Sequence, residues 1–134
     1  MWRNVIPTFI WRALNQDALL LDNAGNTSRD FIFVRDLVRG LMGCAQQGIP
    51  GAVYNLATGV ETTILELAKL INEVAGSKTP LELQPARDWD RSGKRFASHE
   101  KATRELNFTA QVTLHEGIQQ TLSLIHISEP TRPY

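Results

Sequence analysis

Arg29 and Asp30 stand between a polar, Gly-containing turn, Gly25-Asn26-Thr27-Ser28, and an apolar run, Phe31-Ile32-Phe33-Val34. The run is too short for a helix and rich in aromatic and β-branched side chains, which predicts a buried strand. An arginine at the mouth of such a strand can hold an anionic ligand. Its guanidinium is always charged and offers a planar fork of donors that matches phosphate oxygens. An ordinary Arg29–Asp30 surface pair accounts for the same residues equally well, since such pairs are common and contribute little. Arg87, in Arg87-Asp88-Trp89-Asp90, reads on its own as a solvated loop charge. The histidines are scattered and no pair of cysteines exists, so the spacing excludes a zinc site. His99 and His115 fall at helix starts and read as surface residues. Cys44 lies in a helix-like stretch, where a small buried hydrophobe is its expected role, and a lone cysteine fits a reducing cytoplasm.

The elements that must position these residues follow from periodicity. Asn4 can cap a helix that Pro7 helps to start, with Phe9, Ile10, Ala13 and Leu14 at helical spacing. Leu19-Leu20-Leu21 is a short strand that ends in the turn Asp22-Asn23-Ala24-Gly25. After the Arg29 strand, residues 36–47 place Leu37, Val38, Leu41, Met42 and Ala45 on one helix face, and Gly48 and Pro50 end it. Residues 52–57 read as a second buried strand. Thr63 and Glu66 have capping-box spacing, and their helix carries Ile64, Leu67, Leu70, Ile71 and Val74 until Gly76. Leu81-Glu82-Leu83 alternates like a short strand. Ser98 caps a helix through Leu106, and Thr113 with Glu116 opens the last one. Strands alternating with helices predict an α/β architecture.

Composition narrows the function classes. The 134 residues suit one small domain or part of a larger one. Lys plus Arg and Asp plus Glu are 14 each, which gives no electrostatic case for nucleic acid or an anionic membrane surface as partner. No run approaches a membrane-spanning length, and the first residues lack the basic and apolar regions of a signal peptide.

Four motifs occur in order at matching spacings: Asn4-Val5-Ile6-Pro7, the stretch from Arg29-Asp30-Phe31 to Val34-Arg35-Asp36, Val53-Tyr54-Asn55-Leu56-Ala57-Thr58-Gly59, and Lys101-Ala102-Thr103-Arg104-Glu105-Leu106-Asn107-Phe108. Together they resemble the C-terminal half of the NAD-dependent epimerase/dehydratase family, the extended short-chain dehydrogenases that act on nucleotide sugars. The resemblance covers residues 3–122. It implies the substrate-binding part of the fold, short strands alternating with helices, without the family's Rossmann half.

The resemblance also implies roles. Asn4 and Val5 match positions that contact the diphosphate and shape the nucleotide pocket, and Leu20 to Asp22 match a strand lying along the base. Arg29 matches a phosphate-binding arginine and Phe31 an aromatic beside the nucleoside. Arg87 takes the place of a second phosphate-binding arginine, and Asp90 that of a carboxylate accepting from ribose hydroxyls. Asp88-Trp89 stands where the family has Pro-Gly, so the turn can differ. The family's dinucleotide sits on a Gly-rich turn between strand and helix, and its general acid/base is a Tyr-x-x-x-Lys pair. Gly40-Leu41-Met42-Gly43 lies inside a helix pattern, and Tyr54 is followed four residues on by Thr58. The expectation is therefore a portion that binds a nucleoside-diphosphate sugar but has no catalytic residues and binds no NAD or NADP itself. An intact relative would be an NAD(P)-dependent enzyme, with homodimer helices in the absent half. An epimerase is the leading reading of that relative, with UDP-glucuronate decarboxylase and dTDP-glucose 4,6-dehydratase close behind. A non-catalytic nucleotide-sugar-binding module is the competing class. Removing a Rossmann half would expose apolar surface, expected on the helix near Pro7, and lower stability.

Residues 122–134 resemble the translation of a sequencing adapter and are expected to lie outside the fold, leaving residues 1–121 as the nucleotide-sugar-binding part.

Overall fold

The computed structural model describes residues 4–88 and 93–128, with side chains through residue 125. Helix α1 (Val5–Leu14) starts after Asn4, whose backbone is extended and whose side chain makes no capping bond. Instead the Asn4 carbonyl accepts from the Thr8 amide at 3.2 Å and from the Thr8 hydroxyl at 2.8 Å. Pro7 falls in the first turn, where its missing N–H has no intrahelical partner to lose. Strand β1 (Leu19–Leu21) pairs in parallel with β4 (Leu81–Leu83), Leu19 opposite Leu81 and Leu21 opposite Leu83. Period-two alternation sends Leu19 and Leu21 fully inward and leaves Leu20 exposed.

Helix α3 (Ile64–Ala75) closes this core. Its capping box is complete: the Glu66 amide donates to the Thr63 hydroxyl at 3.1 Å, and the Thr63 amide donates to the Glu66 carboxylate at 2.7 Å. Hydrogen bonds from the Thr63 backbone and hydroxyl hold the Glu66 carboxyl below the usual glutamate range. Leu67, Ala68 and Ile71 are wholly buried against Phe9, Ile10 and Ala13 of α1, and Gly76 ends the helix in the left-handed region at φ 63°. The last helix, α5 (Leu114–Ser128), opens on the expected box between Thr113 and Glu116. It runs past residue 121, with Leu122 buried in the core and Ile125 packed against it.

The centre of the chain departs from expectation. Residues 31–34 are not a strand: β2 (Ser28–Arg29) is confined to two residues paired antiparallel with β3 (Thr62–Thr63), and helix α2 (Val34–Gln47) begins directly after Phe33. Residues 52–57 likewise form no strand, and Val53 is 79% exposed. Both segments have strand-like composition, but a strand exists only through a ladder partner, and neither finds one among the described residues.

Helix α2 also turns the unexpected way. Its apolar stripe, Val34, Val38, Leu41 and Met42, is exposed, while Asp36 and Gly40 are the buried positions. The reason lies in what α2 docks on. The Asp36 carboxylate accepts from the backbone amides of Gln111 at 2.9 Å and Val112 at 2.8 Å, and pairs with Arg39 at 2.9 Å. A side chain at Gly40 would come within 2.8 Å of Leu56 and Phe108, so only glycine allows that approach. A second cluster, Ala102, Leu106 and Phe108, sits beneath, with half-buried Cys44 packed against it. The apolar surface expected on α1 is thus concentrated on α2, although Trp11 of α1 is also exposed. Helix α4 (Glu100–Leu106) begins after His99, and the Ser98 hydroxyl accepts from the Glu100 amide at 3.4 Å.

Candidate functional site

Arg29 sits on β2 beside a cavity of about 340 Å³, whose polar rim includes Asp30 and Arg95 and whose apolar wall includes Ile32, Leu56 and Phe96. The Arg29 guanidinium is held from behind: Nη1 donates to the Ser28 carbonyl at 2.6 Å and to the Gly93 carbonyl at 3.0 Å. Asp30 does not close the site as a surface partner of Arg29. Its Oδ1 accepts from the Thr58 amide at 3.0 Å and the Thr58 hydroxyl at 2.6 Å, and its Oδ2 accepts from the Gly59 amide at 2.9 Å. This carboxylate latch fastens the loop after residue 57 to the Arg29 strand. Gly59 adopts φ +75°, and a Cβ there would lie 2.7 Å from the His99 imidazole, so the ring lies directly on the glycine backbone.

Ser28, which precedes Arg29 on β2, is fully buried. Its hydroxyl donates to Glu61 at 2.6 Å, and Glu61 in turn meets Lys94 at 3.5 Å. The Arg95 amide donates to the Ser28 carbonyl at 3.1 Å, and Ser28 and Lys94 form a parallel bridge. The segment from Gly93 onward is therefore laid along β2, which brings Arg95 and Phe96 to the site. Local sequence carries no sign of this, because the contact depends on pairing across a long stretch of chain.

The other expected site residues distribute differently. Asp22 lies in a 3₁₀ turn (Asp22–Gly25) after β1 and pairs with Arg87 at 2.5 Å, both side chains being well exposed. The turn is bound to the segment before Arg87: the amides of Asn23 and Ala24 donate to the carbonyls of Pro85 and Gln84. Leu20 is exposed on β1 in the same part of the molecule, and Asn4 is exposed ahead of α1. Val5 and Phe31 pack against the main core. Phe31 lines a separate apolar cavity of about 180 Å³, with Ile6, Phe33 and Ile118. Arg29 lines the 340 Å³ cavity, and Asp90 lies outside the described residues.

Among the described residues, no group of three or more His, Cys, Asp or Glu side chains could hold a metal ion. No described helix is long and apolar enough to cross a membrane. The Gly40-Leu41-Met42-Gly43 segment offers no cradle for a dinucleotide pyrophosphate: it lies within α2, with Gly40 pressed against Leu56 and Phe108.

Short strands interleaved with helices match the C-terminal part of extended short-chain dehydrogenases. Residues 2–121 match the family described as GDP-mannose 4,6 dehydratase. The chain belongs to the NAD-dependent epimerase/dehydratase family. It is 34% identical over 118 residues to UDP-glucuronic acid decarboxylase 1 of Danio rerio, covering 88% of this chain and 28% of that protein. The crystal structure of Bordetella bronchiseptica WbmF in complex with NAD+ and UDP superposes with a TM-score of 0.82 at 47% identity, covering 96% of this chain and 37% of that one. UDP-glucose 4-epimerase of Thermotoga maritima with UDP-glucose gives a TM-score of 0.87 at 28% identity, covering 93% of this chain and 40% of that one. The chain thus spans well under half the length of these relatives.

Proposed function

We propose that the chain is the nucleoside-diphosphate-sugar-binding portion of an NAD(P)-dependent sugar-nucleotide epimerase or dehydratase, and that it has no catalytic activity by itself. The observation that carries this reading is the Arg29 cavity: a guanidinium with its back tied to carbonyls faces an opening with an apolar wall. A charged fork suits phosphate oxygens, and the wall suits a nucleoside. Hydride transfer and acid/base catalysis belong, on this reading, to the part of the family fold outside this chain, which also holds the dinucleotide. The UDP and UDP-glucose complexes of the two structural relatives support a uridine nucleotide as ligand. The decarboxylase of zebrafish and the epimerase of Thermotoga maritima both support a sugar-nucleotide enzyme of this family as the full-length counterpart.

The exposed stripe of α2 supports the same reading. Val38, Leu41 and Met42 are each about half exposed or more, and Val53 lies bare in the segment that found no ladder partner. On this reading, the surface packs against the NAD-binding half of the family fold. The match to residues 2–121 supports a nucleotide-sugar-binding part over residues 1–121, and the adapter-like stretch begins within α5, where Leu122 and Ile125 pack on its core. Half-buried, unpaired Cys44 fits a reducing cytoplasm.

Titrating UDP, dTDP and GDP against the wild type and Arg29→Ala, by calorimetry or NMR, tests the proposal. The expected result is weak but saturable UDP binding that drops about tenfold or more in Arg29→Ala, the scale of a charge-assisted hydrogen bond. Equal binding by both proteins removes Arg29 from the site.

A further inference from the structure

We propose that Asp30 is a positioning residue of the Arg29 cavity: through Thr58 and Gly59 it sets how far the wall at Leu56 and Ala57 stands from Arg29. The inference rests on the nucleotide-binding reading and concerns a group that holds the site, not one that holds the ligand. Arg29 and Asp30 form one side of the cavity, and Leu56 and Ala57 another. Residues 52–57 have no ladder partner among the described residues, so strand pairing does not fix that wall. Side chains fix it instead. Asp30 accepts from the Thr58 amide, the Thr58 hydroxyl and the Gly59 amide, the donors that directly follow Ala57.

The latch works as a relay. Thr58 Oγ1 donates to Asp30 Oδ1 at 2.6 Å and accepts from the Val60 amide at 3.1 Å, so one hydroxyl joins the carboxylate to the far side of the corner. The Ser28 hydroxyl donates to Glu61 at 2.6 Å. The residues on either side of Arg29 therefore grip the same loop, Asp30 at its start and Ser28 at its end. From the other direction His99 closes it, since a Cβ at Gly59 would lie 2.7 Å from the imidazole. A carboxylate accepts at both oxygens, whereas asparagine of the same shape places a donor at one of them. D30N thus leaves at least one loop donor facing another donor, and the apolar wall offered to the nucleoside loses its register with the guanidinium.

The experiment titrates UDP by calorimetry against the 134-residue chain and its D30N, T58V, T58S, D30N/T58V and I71V variants, with thermal melts alongside. D30N is expected to weaken UDP by about tenfold and T58V by about threefold, while T58S keeps the hydroxyl and stays within about twofold of the wild type. The double variant is expected to bind no worse than D30N, because both changes cut one latch. I71V thins the wholly buried main core, away from the cavity, and is expected to stay within about twofold. Should D30N lose its cooperative melt, T58V against T58S carries the comparison, and equal affinities overturn the proposal. D30N binding within about twofold of the wild type, additive losses in the double variant, or an I71V loss as large as that of D30N overturns the positioning role while nucleotide binding stands. A wild type without saturable UDP binding overturns both readings.

Discussion

Helices α3 and α2 each carry an apolar stripe and use it in opposite ways. Around the first, Ile10, Leu19, Leu21, Leu67 and Ile71 are at most 1% exposed, and two helices and a strand pair cover one another. In the second, valine, leucine and methionine face outward, while a carboxylate and a glycine make the contact with the rest of the chain. An apolar helix face is therefore a core in one place and an open surface in the other. What decides is whether a second layer is supplied by the same polypeptide.

The largest expected effect separates the two regions directly. Leu67→Ala removes a wholly buried side chain and is expected to destabilise by about 2–5 kcal/mol. Leu41→Ser, on the open stripe, is expected to change stability by less than about 0.5 kcal/mol and to reduce self-association. Urea melts with sedimentation velocity on both variants check this, and a Leu41→Ser loss comparable to that of Leu67→Ala would erase the contrast. Next in size is Gly40→Ala. Its methyl group meets Leu56 and Phe108 at 2.8 Å, and overpacking of this kind costs about 1–3 kcal/mol. An Ala variant as stable as the wild type would mean that α2 rides loosely on the second cluster.

The smallest effect concerns pH. Glu66 and Glu116 both have carboxyls lowered by hydrogen bonds from Thr63 and Thr113, backbone first and hydroxyl second. A carboxyl whose folded value lies below its unfolded value adds stability above the unfolded value, about 4.3 for glutamate. That stability is lost as pH falls through the folded value. Thermal midpoints are thus expected to slip below about pH 4.3, and less so in Glu66→Gln. A midpoint that rises on acidification would contradict both caps.

Legibility from sequence follows the range of the interaction. The helix after Thr63, its box and its Gly76 stop are local, and each falls where spacing places it. The paired leucines of β1 and β4 are nearly as plain, because alternation is also local. Residues 31–34 and 52–57 mislead because β-rich composition names a preference for pleated surroundings, not the edge that must complete a ladder. The site divides likewise. Arg29 is recognisable from its type and its neighbouring turn. Asp30 looks like its surface partner, yet it latches Thr58 and Gly59. Arg95 is indistinguishable from any loop cation until the bridge to Ser28 is known.

The clamp by Asp36 on the amides of Gln111 and Val112 joins positions 75 and 76 residues apart. The entropy of closing so long a loop grows only logarithmically, so doubling the intervening chain adds about 0.6 kcal/mol. Removing the carboxylate would strand two amide donors at about 1–3 kcal/mol each. Divergence within this part of the fold therefore has ample room for insertions between α2 and the segment ahead of α5, and very little at the anchor itself.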